Sequence, residues 1–154
     1  MKLAVQTAIL RDVDEIAPLF DLYRQFYQQP ADVQAARAFL AQRLERKESV
    51  IFLARDEQRR AVGFAQLYPL FCSVALKPQW LLYDMYVLPE ARRAGAARLL
   101  LDRRKQLGVE TRSHALFLET ANDNLAAQRL YETAGWEREA RFVKYNLWLS
   151  GDHS

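Results

Sequence analysis

The sequence predicts an α/β domain built around a mixed sheet, on three observations. Segments of strand period and helix period follow one another as a strand, two helices, a run of strands, and a closing strand–helix–strand–helix–strand series. The stretch from Tyr83 to Leu101, YDMYVLPEARRAGAARLLL, passes from a strand through a short basic turn into a helix. No repeat, low-complexity segment or linker interrupts the 154 residues, of which 51% are hydrophobic, ample for one core. A single domain over residues 1–154 is expected, with a disordered tail at 150–154.

Taken in order, residues 3–9, LAVQTAI, read as the first strand. Asp12 with Glu15 three residues on has the form of a capping box. Ile16, Leu19, Phe20, Tyr23, Phe26 and Tyr27 then recur at helical intervals, with Pro18 early in the run. Pro30 breaks this helix, and Asp32 opens a second with Ala35, Ala36, Phe39, Leu40 and Leu44 on one side. The run VIFLA at 50–54 is a strand, 56–60 a polar turn, and AVGFAQLY at 61–68 the return of a hairpin. Residues 69–78 fit either a strand continued past a break or a loop. Residues 80–87 form the next strand, ended by Pro89, which has no amide donor for a ladder. The helix from Gly95 is expected to end at Gly108, ALFLET at 115–120 to be a buried strand, and Asn122–Asn124 to cap a helix over 125–133 closed by Gly135. Alternation over 142–149 predicts a final strand.

Composition narrows the function. The net charge of +3 is mildly basic, and the arginines are dispersed except around 92–104, which favours a local anion site over a nucleic-acid face. No strand face interleaves aromatic and basic residues. Cys72 is the only cysteine, so no disulfide framework exists and a reducing compartment is expected. No apolar run approaches the roughly 18–20 residues of a membrane span, and the N-terminus lacks a signal-peptide pattern. A cytoplasmic protein is therefore expected. Two distant histidines, His114 and His153, with one cysteine make no metal set.

Arg92, Arg93, Ala94, Gly95, Ala96 and Ala97 lie where the strand turns into the helix. Amides of a first helical turn lack intrahelical partners, and the helix dipole favours negative charge there. Small residues let backbone approach a ligand. Chemistry alone points to a phosphate or pyrophosphate; an ordinary solvated turn is the other reading.

Two spaced elements carry a resemblance. Val87-x-Pro89-x-x-Arg92-x-x-Gly95-x-Ala97, joined to Asn124-x-x-Ala127-x-x-Leu130-Tyr131-x-x-x-Gly135-Trp136, resembles the GNAT superfamily of N-acetyltransferases over about residues 3–149. Leu67-Tyr68-Pro69 through Trp80-x-Leu82-x-Asp84-x-x-Val87 is similar to a bacterial subgroup compared with diamine and histone-type acetyltransferases. The resemblance implies a mostly antiparallel central sheet flanked by helices, with splayed fourth and fifth strands. It implies acetyl-coenzyme A as donor, a primary amine as acceptor, no metal, and often a homodimer. The pantetheine arm would pair with Met85, Tyr86 and Val87, and the pyrophosphate would sit on the amides of Arg93 to Ala97 with Arg92 and Arg93 adding charge. Where the family often has further glycines in this loop, only Gly95 remains here.

Acetyl transfer needs a neutral amine, a stabilised oxyanion and a protonated leaving thiolate. Deprotonating an alkyl ammonium of pKa ~10.4 at pH 7 costs about 4–5 kcal/mol, so a base or water chain must take that proton. By resemblance Tyr131 matches the tyrosine that protonates the thiolate, and Asn124 the asparagine that holds the pantetheine arm; packing and helix capping are their structural alternatives. An amide near Met85–Val87 would meet the oxyanion. Asp84, a carboxylate on an apolar strand, would contact a cationic acceptor, take its proton through water, or pair with a structural arginine. Glu119 is a second candidate base. His114 reads as a strand-edge residue and Cys72 as a small buried hydrophobe. Tyr23, Phe26 and Tyr27 either fill the space between two helices or line an acceptor pocket. The function expected is transfer to a small-molecule amine, with a protein or peptide amine, or a non-catalytic acyl-coenzyme A sensor, as alternatives.

Overall fold

The structure, a computed structural model, describes residues 1–151. The chain divides into two compact units, the first running from Met1 to Glu119 and the second beginning at Thr120. The first contains β1 (Ala4–Thr7), a single 3-10 turn (Leu10–Asp12), α1 (Val13–Phe26), α2 (Val33–Glu45), β2 (Val50–Arg55), β3 (Ala61–Cys72), β4 (Lys77–Val87), α3 (Pro89–Arg92), α4 (Ala96–Glu110) and β5 (Leu116–Leu118). The strands lie in sequence order, antiparallel throughout except for β4 and β5, which run parallel. The expected mixed, mostly antiparallel sheet with flanking helices is therefore present.

β2 shows why the sheet is buried on both faces. Successive strand residues point to opposite sides. Ile51 and Leu53 join Ile16, Leu19, Phe20, Leu40 and Phe64 in the core under α1 and α2. Phe52 faces the other way, where the Arg103 guanidinium of α4 lies 4.6 Å from its ring centre. An unbroken apolar run suits a strand covered on both sides. Each such fully buried Leu or Phe contributes about 1.5–3 kcal/mol.

Several sequence expectations are corrected here. Asp12 and Glu15 form no capping box: Asp12 accepts the Ile9 amide at 2.8 Å, and both carboxylates turn to the buried Arg55. A guanidinium offers charge-assisted bonds that a helix amide cannot match. Gly108 does not end α4, which continues to Glu110 with Thr111 as cap. It lies beside Leu116, whose side chain an added Cβ would meet at 3.4 Å, an ordinary van der Waals contact. Residues 69–78 are the strand continued: β3 runs to Cys72 and β4 starts at Lys77. Pro69 is tolerated because β2 pairs β3 only as far as Leu67, leaving that edge of β3 open. The first and fifth strands shorten to 4–7 and 116–118.

The second unit holds α5 (Leu125–Thr133). Asn124 caps it as expected, its carbonyl oxygen accepting the Ala127 amide at 3.2 Å. Gly135 closes it at φ +92°: its amide donates to Glu132 and the Trp136 amide to Tyr131, each at 3.0 Å, a Schellman pattern. The expected strand over 142–149 is absent. Alternation assigns faces but supplies no partner edge, and a lone strand is not stable without one. Phe142, Val143, Tyr145, Leu147 and Leu149 are exposed. The tail expectation at 152–154, with His153, lies outside the described residues.

Candidate active site

The first unit's site begins with an irregularity in β4. Gln66 opposes Asp84 and the next residue, Leu67, opposes Leu82, so Tyr83 has no partner across the ladder. Such a bulge leaves an extra residue unpaired and bends the strand. The Tyr23 hydroxyl of α1 donates to the orphaned Tyr83 carbonyl at 3.1 Å. The same hydroxyl favours the charged form of the Asp84 carboxyl.

Asp84 is 5% exposed. Among the described residues no arginine forms an ion pair with it: the Gln66 side-chain amide donates to its Oδ2 at 2.7 Å. Burial pushes its pKa up to about 6, against the opposing hydrogen bonds from Gln66 and Tyr23. Burial and the Asp84 charge together push the Tyr23 phenol well above its ordinary value, so it stays a donor. Tyr68 is raised for the same two reasons. The site thus holds a carboxyl that changes charge near neutrality among phenols that do not.

Aromatic rings rim this carboxyl. Tyr23 packs edge-on to Tyr27 at 5.1 Å and to Phe64 at 6.2 Å, and Tyr68 meets Tyr83 at 5.5 Å. Phe26 and Tyr83 are largely exposed and Tyr27 partly so. The helix cluster is therefore divided: Tyr23 turns to the core and to Asp84, whereas Phe26 and Tyr27 face outward. Ring faces and a carboxylate together suit an organic cation.

Past the bulge the sheet opens. β5 pairs with β4 at Trp80, Leu81 and Leu82 and stops at Leu118, so the β4 edge from Tyr83 to Val87 has no described strand beside it. That edge carries Met85, Tyr86 and Val87. At its end the Arg92 Nε donates to the Val87 carbonyl at 2.9 Å, with the guanidinium 5.7 Å from the Tyr86 ring centre. Arg93 is exposed. The Ala94 and Gly95 amides are engaged in turns, donating to Ala91 at 3.2 Å and Arg92 at 3.4 Å. Gly95 caps α4 at φ +86° without a side chain, and an added Cβ there would meet nothing within 4 Å. The first-turn amides, at Ala96, Ala97 and Arg98, are thus left to an outside acceptor. Glu119 follows the end of β5 and is exposed, as is His114, whose amide donates to Pro78 at 2.7 Å. Cys72 is half-buried at the end of β3.

In the second unit Tyr131 is half-buried on α5, its ring centre 6.0 Å from that of Trp136. The Schellman bonds fix both ends of that contact, since Trp136 donates to the carbonyl of Tyr131 itself. Asn124 sits seven residues earlier, at the other end of α5.

The sequence model of the acetyltransferase (GNAT) family matches residues 16–136. The chain belongs to this family. It is an N-acetyltransferase, 43% identical over 143 residues to YhfO of Bacillus subtilis (strain 168), described as an uncharacterized N-acetyltransferase, with 93% of this chain and 95% of that one covered. A probable acetyltransferase of Haemophilus influenzae is 31% identical over 139 residues, covering 90% and 93% of the two chains. The crystal structure of a probable acetyltransferase superposes with a TM-score of 0.91 at 43% identity, covering 97% and 99%.

Two residues of this candidate site were not legible in the sequence. Gln66 and Ser49 are buried polar side chains in contact with one another, and Gln66 also reaches Asp84. Gln66 sits inside the apolar run AVGFAQLY, where a lone polar residue at an inward position is a signal that could have marked it. Ser49 had no such signal. Among the described residues no group of three His, Cys, Asp or Glu converges as a metal set would.

Proposed function

We propose that this acetyltransferase moves the acetyl group of acetyl-coenzyme A to a primary amine of a small molecule, by direct attack within a ternary complex. The observation that carries this is Asp84: a buried carboxyl, ionising near pH 6, placed beside a strand bulge and rimmed by aromatic rings. As the carboxylate it attracts the acceptor ammonium and takes one of its protons, directly or through water. The freed amine nitrogen attacks the thioester carbonyl, and backbone amides along Met85–Val87 meet the oxyanion. The carbon–sulfur bond then breaks, Tyr131 gives its proton to the leaving thiolate, and the surplus proton on the new amide nitrogen passes through water to restore the Tyr131 phenol. Tyr131 has this role through its place in the Asn124-to-Trp136 element.

The residues present fit the donor. The open β4 edge offers backbone groups to an amide-bearing arm, and the uncapped first turn of α4 offers amides to a diphosphate. Arg92 and Arg93 supply charge at the same turn. Asn124 would hold the arm with the amide nitrogen that its capping oxygen leaves over. A small acceptor is favoured over a protein amine because the carboxyl is buried and the half-buried Tyr23 and Tyr68 flank it. A cytoplasmic, homodimeric, single-domain enzyme without a metal completes the proposal.

Calorimetric titration with acetyl-coenzyme A and with dephospho-coenzyme A, followed by a thiol-release assay across an amine panel, tests it. Donor binding with thiol release on at least one small amine is expected. Tyr131→Phe should retain donor binding while turnover falls by about tenfold to a thousandfold, the range for a lost acid. Full activity in Tyr131→Phe removes the acid assignment. Donor binding without turnover on any amine would make the chain a sensor, and no donor binding would sink both.

A further inference from the structure

Ser49, Gln66 and Asp84 form a row across three neighbouring strands, and nothing in the acetyl-transfer chemistry above requires the first two. Ser49 immediately precedes β2; Gln66 lies on β3, directly opposite Asp84 on β4. The Ser49 hydroxyl donates to Gln66 Oε1 at 2.8 Å, and Gln66 Nε2 donates to Asp84 Oδ2 at 2.7 Å. Gln66 is fully buried and Ser49 8% exposed. Two polar side chains in such a setting are costly unless their hydrogen bonds are made, and here each completes the next.

We propose that Gln66, held by Ser49, is a positioning residue that fixes the Asp84 carboxylate through Oδ2 and leaves Oδ1 to the incoming ammonium. It rests on Asp84 being the base. The polarity of the row decides its effect. A primary amide that donates to a carboxyl favours the charged form, and the Ser49 hydroxyl, by occupying Oε1, favours the orientation in which the NH2 group faces Asp84. Rotated by a half turn, the amide would set its oxygen against a carboxylate oxygen, which repels.

Of the other groups around Asp84, only Tyr23 adds to this, and by less. Tyr23 from α1, Tyr68 from β3 and Tyr83 on β4 are phenols; Tyr27 of α1 acts only on Tyr23, and Arg43 and Glu48 act on Tyr68. Gln66 gives the larger of the two hydrogen-bond contributions that hold the carboxyl down against burial. The row thus brings the base into its working charge state at a lower pH than burial alone would allow.

The test is the pH profile of kcat/KM for the full chain, measured on parent, Gln66→Met, Ser49→Ala, Ser49→Thr and Asp84→Asn, beside a carbon-13 NMR titration of the Asp84 carboxyl. Gln66→Met should raise the midpoint of the acid limb and of the NMR titration together. That lowers the rate about tenfold at pH 6, the effect of one lost bond to a charged group, while leaving it within about threefold of parent at pH 9. The KM for acetyl-coenzyme A should stay unchanged. Ser49→Ala should move both midpoints the same way by less, and Ser49→Thr should restore them. Should Gln66→Met fold poorly, the serine pair decides. A rate loss equal at every pH, with the NMR midpoint unmoved, overturns the positioning role and leaves Asp84 as base. An acid limb that survives in Asp84→Asn overturns the base assignment instead.

Discussion

Asp84 is held ionisable in a place that disfavours its charge, and this sets the sign of its contribution to stability. Its pKa in the folded chain, about 6, lies above the ordinary 3.8. The folded state therefore binds this proton more tightly than the unfolded one. The stabilisation is full below pH 4, fades as the pH rises toward 6, and is absent above that. At about 1.36 kcal/mol per pH unit the difference is about 3 kcal/mol. Asp84→Asn keeps an acceptor for Gln66 and removes the charge, so it should be more stable than parent at pH 8, by about 1–3 kcal/mol, and equal to it at pH 4. Urea denaturation at the two pH values checks this; the same difference at both would show that the charge is not the cause. A carboxylate on an apolar strand was legible in the sequence. Its partners were not, because Ser49, Gln66 and Asp84 meet only through cross-strand register, which no local pattern reads.

Among the elements, α5 shows how a helix end sets a side chain. Gly135 at φ +92° turns the chain so that the Gly135 and Trp136 amides reach back to Glu132 and Tyr131. Glycine adopts this conformation freely, whereas alanine there costs about 1–2 kcal/mol. Gly135→Ala should loosen the Tyr131–Trp136 contact and lower the melting temperature by several degrees. Tryptophan fluorescence during thermal unfolding follows it, and an unchanged transition would mean that the contact does not depend on the glycine. Gly135 was readable in advance because a C-terminal cap is a local event. Gly108 was misread as a cap because a glycine in a helical run is no stop by itself: α4 continues through it to Glu110. The strand expected over 142–149 failed because alternation is local and a pairing edge is not.

At the scale of the molecule, one side chain ties distant parts of the first unit together. Arg55, at the end of β2, donates to Glu15 at 2.6 and 2.9 Å, to Asp12 at 3.3 Å, to the Arg59 carbonyl at 2.8 Å and to Gln6 at 3.3 Å. It joins β1, the turn into α1, and the β2–β3 hairpin. The Arg55 guanidinium, chiefly through its hydrogen bond, holds the Glu15 carboxyl below its usual range. Arg55→Met would leave Asp12 buried without its cation, a loss of about 3–5 kcal/mol. Adding Asp12→Asn should recover part of it. Chemical denaturation of both variants checks this, and an equal loss in the two would assign the effect to packing. The helices and most strands could be read from periodicity, and the family from two spaced motifs. The clamp could not, for its four partners span residues 6 to 59.

The bulge at Tyr83 bears on how this chain can change by steps of length. Gln66 opposite Asp84 and Leu67 opposite Leu82 is already the register of an unbroken ladder, with one residue to spare. Loss of Tyr83 would let the strand close without turning any other side chain to the opposite face. It would also erase the carbonyl that receives the Tyr23 hydroxyl. No exchange of one side chain for another reaches that state. The boundary between a regular sheet and one that carries this bulge is thus a single codon, crossed by deletion.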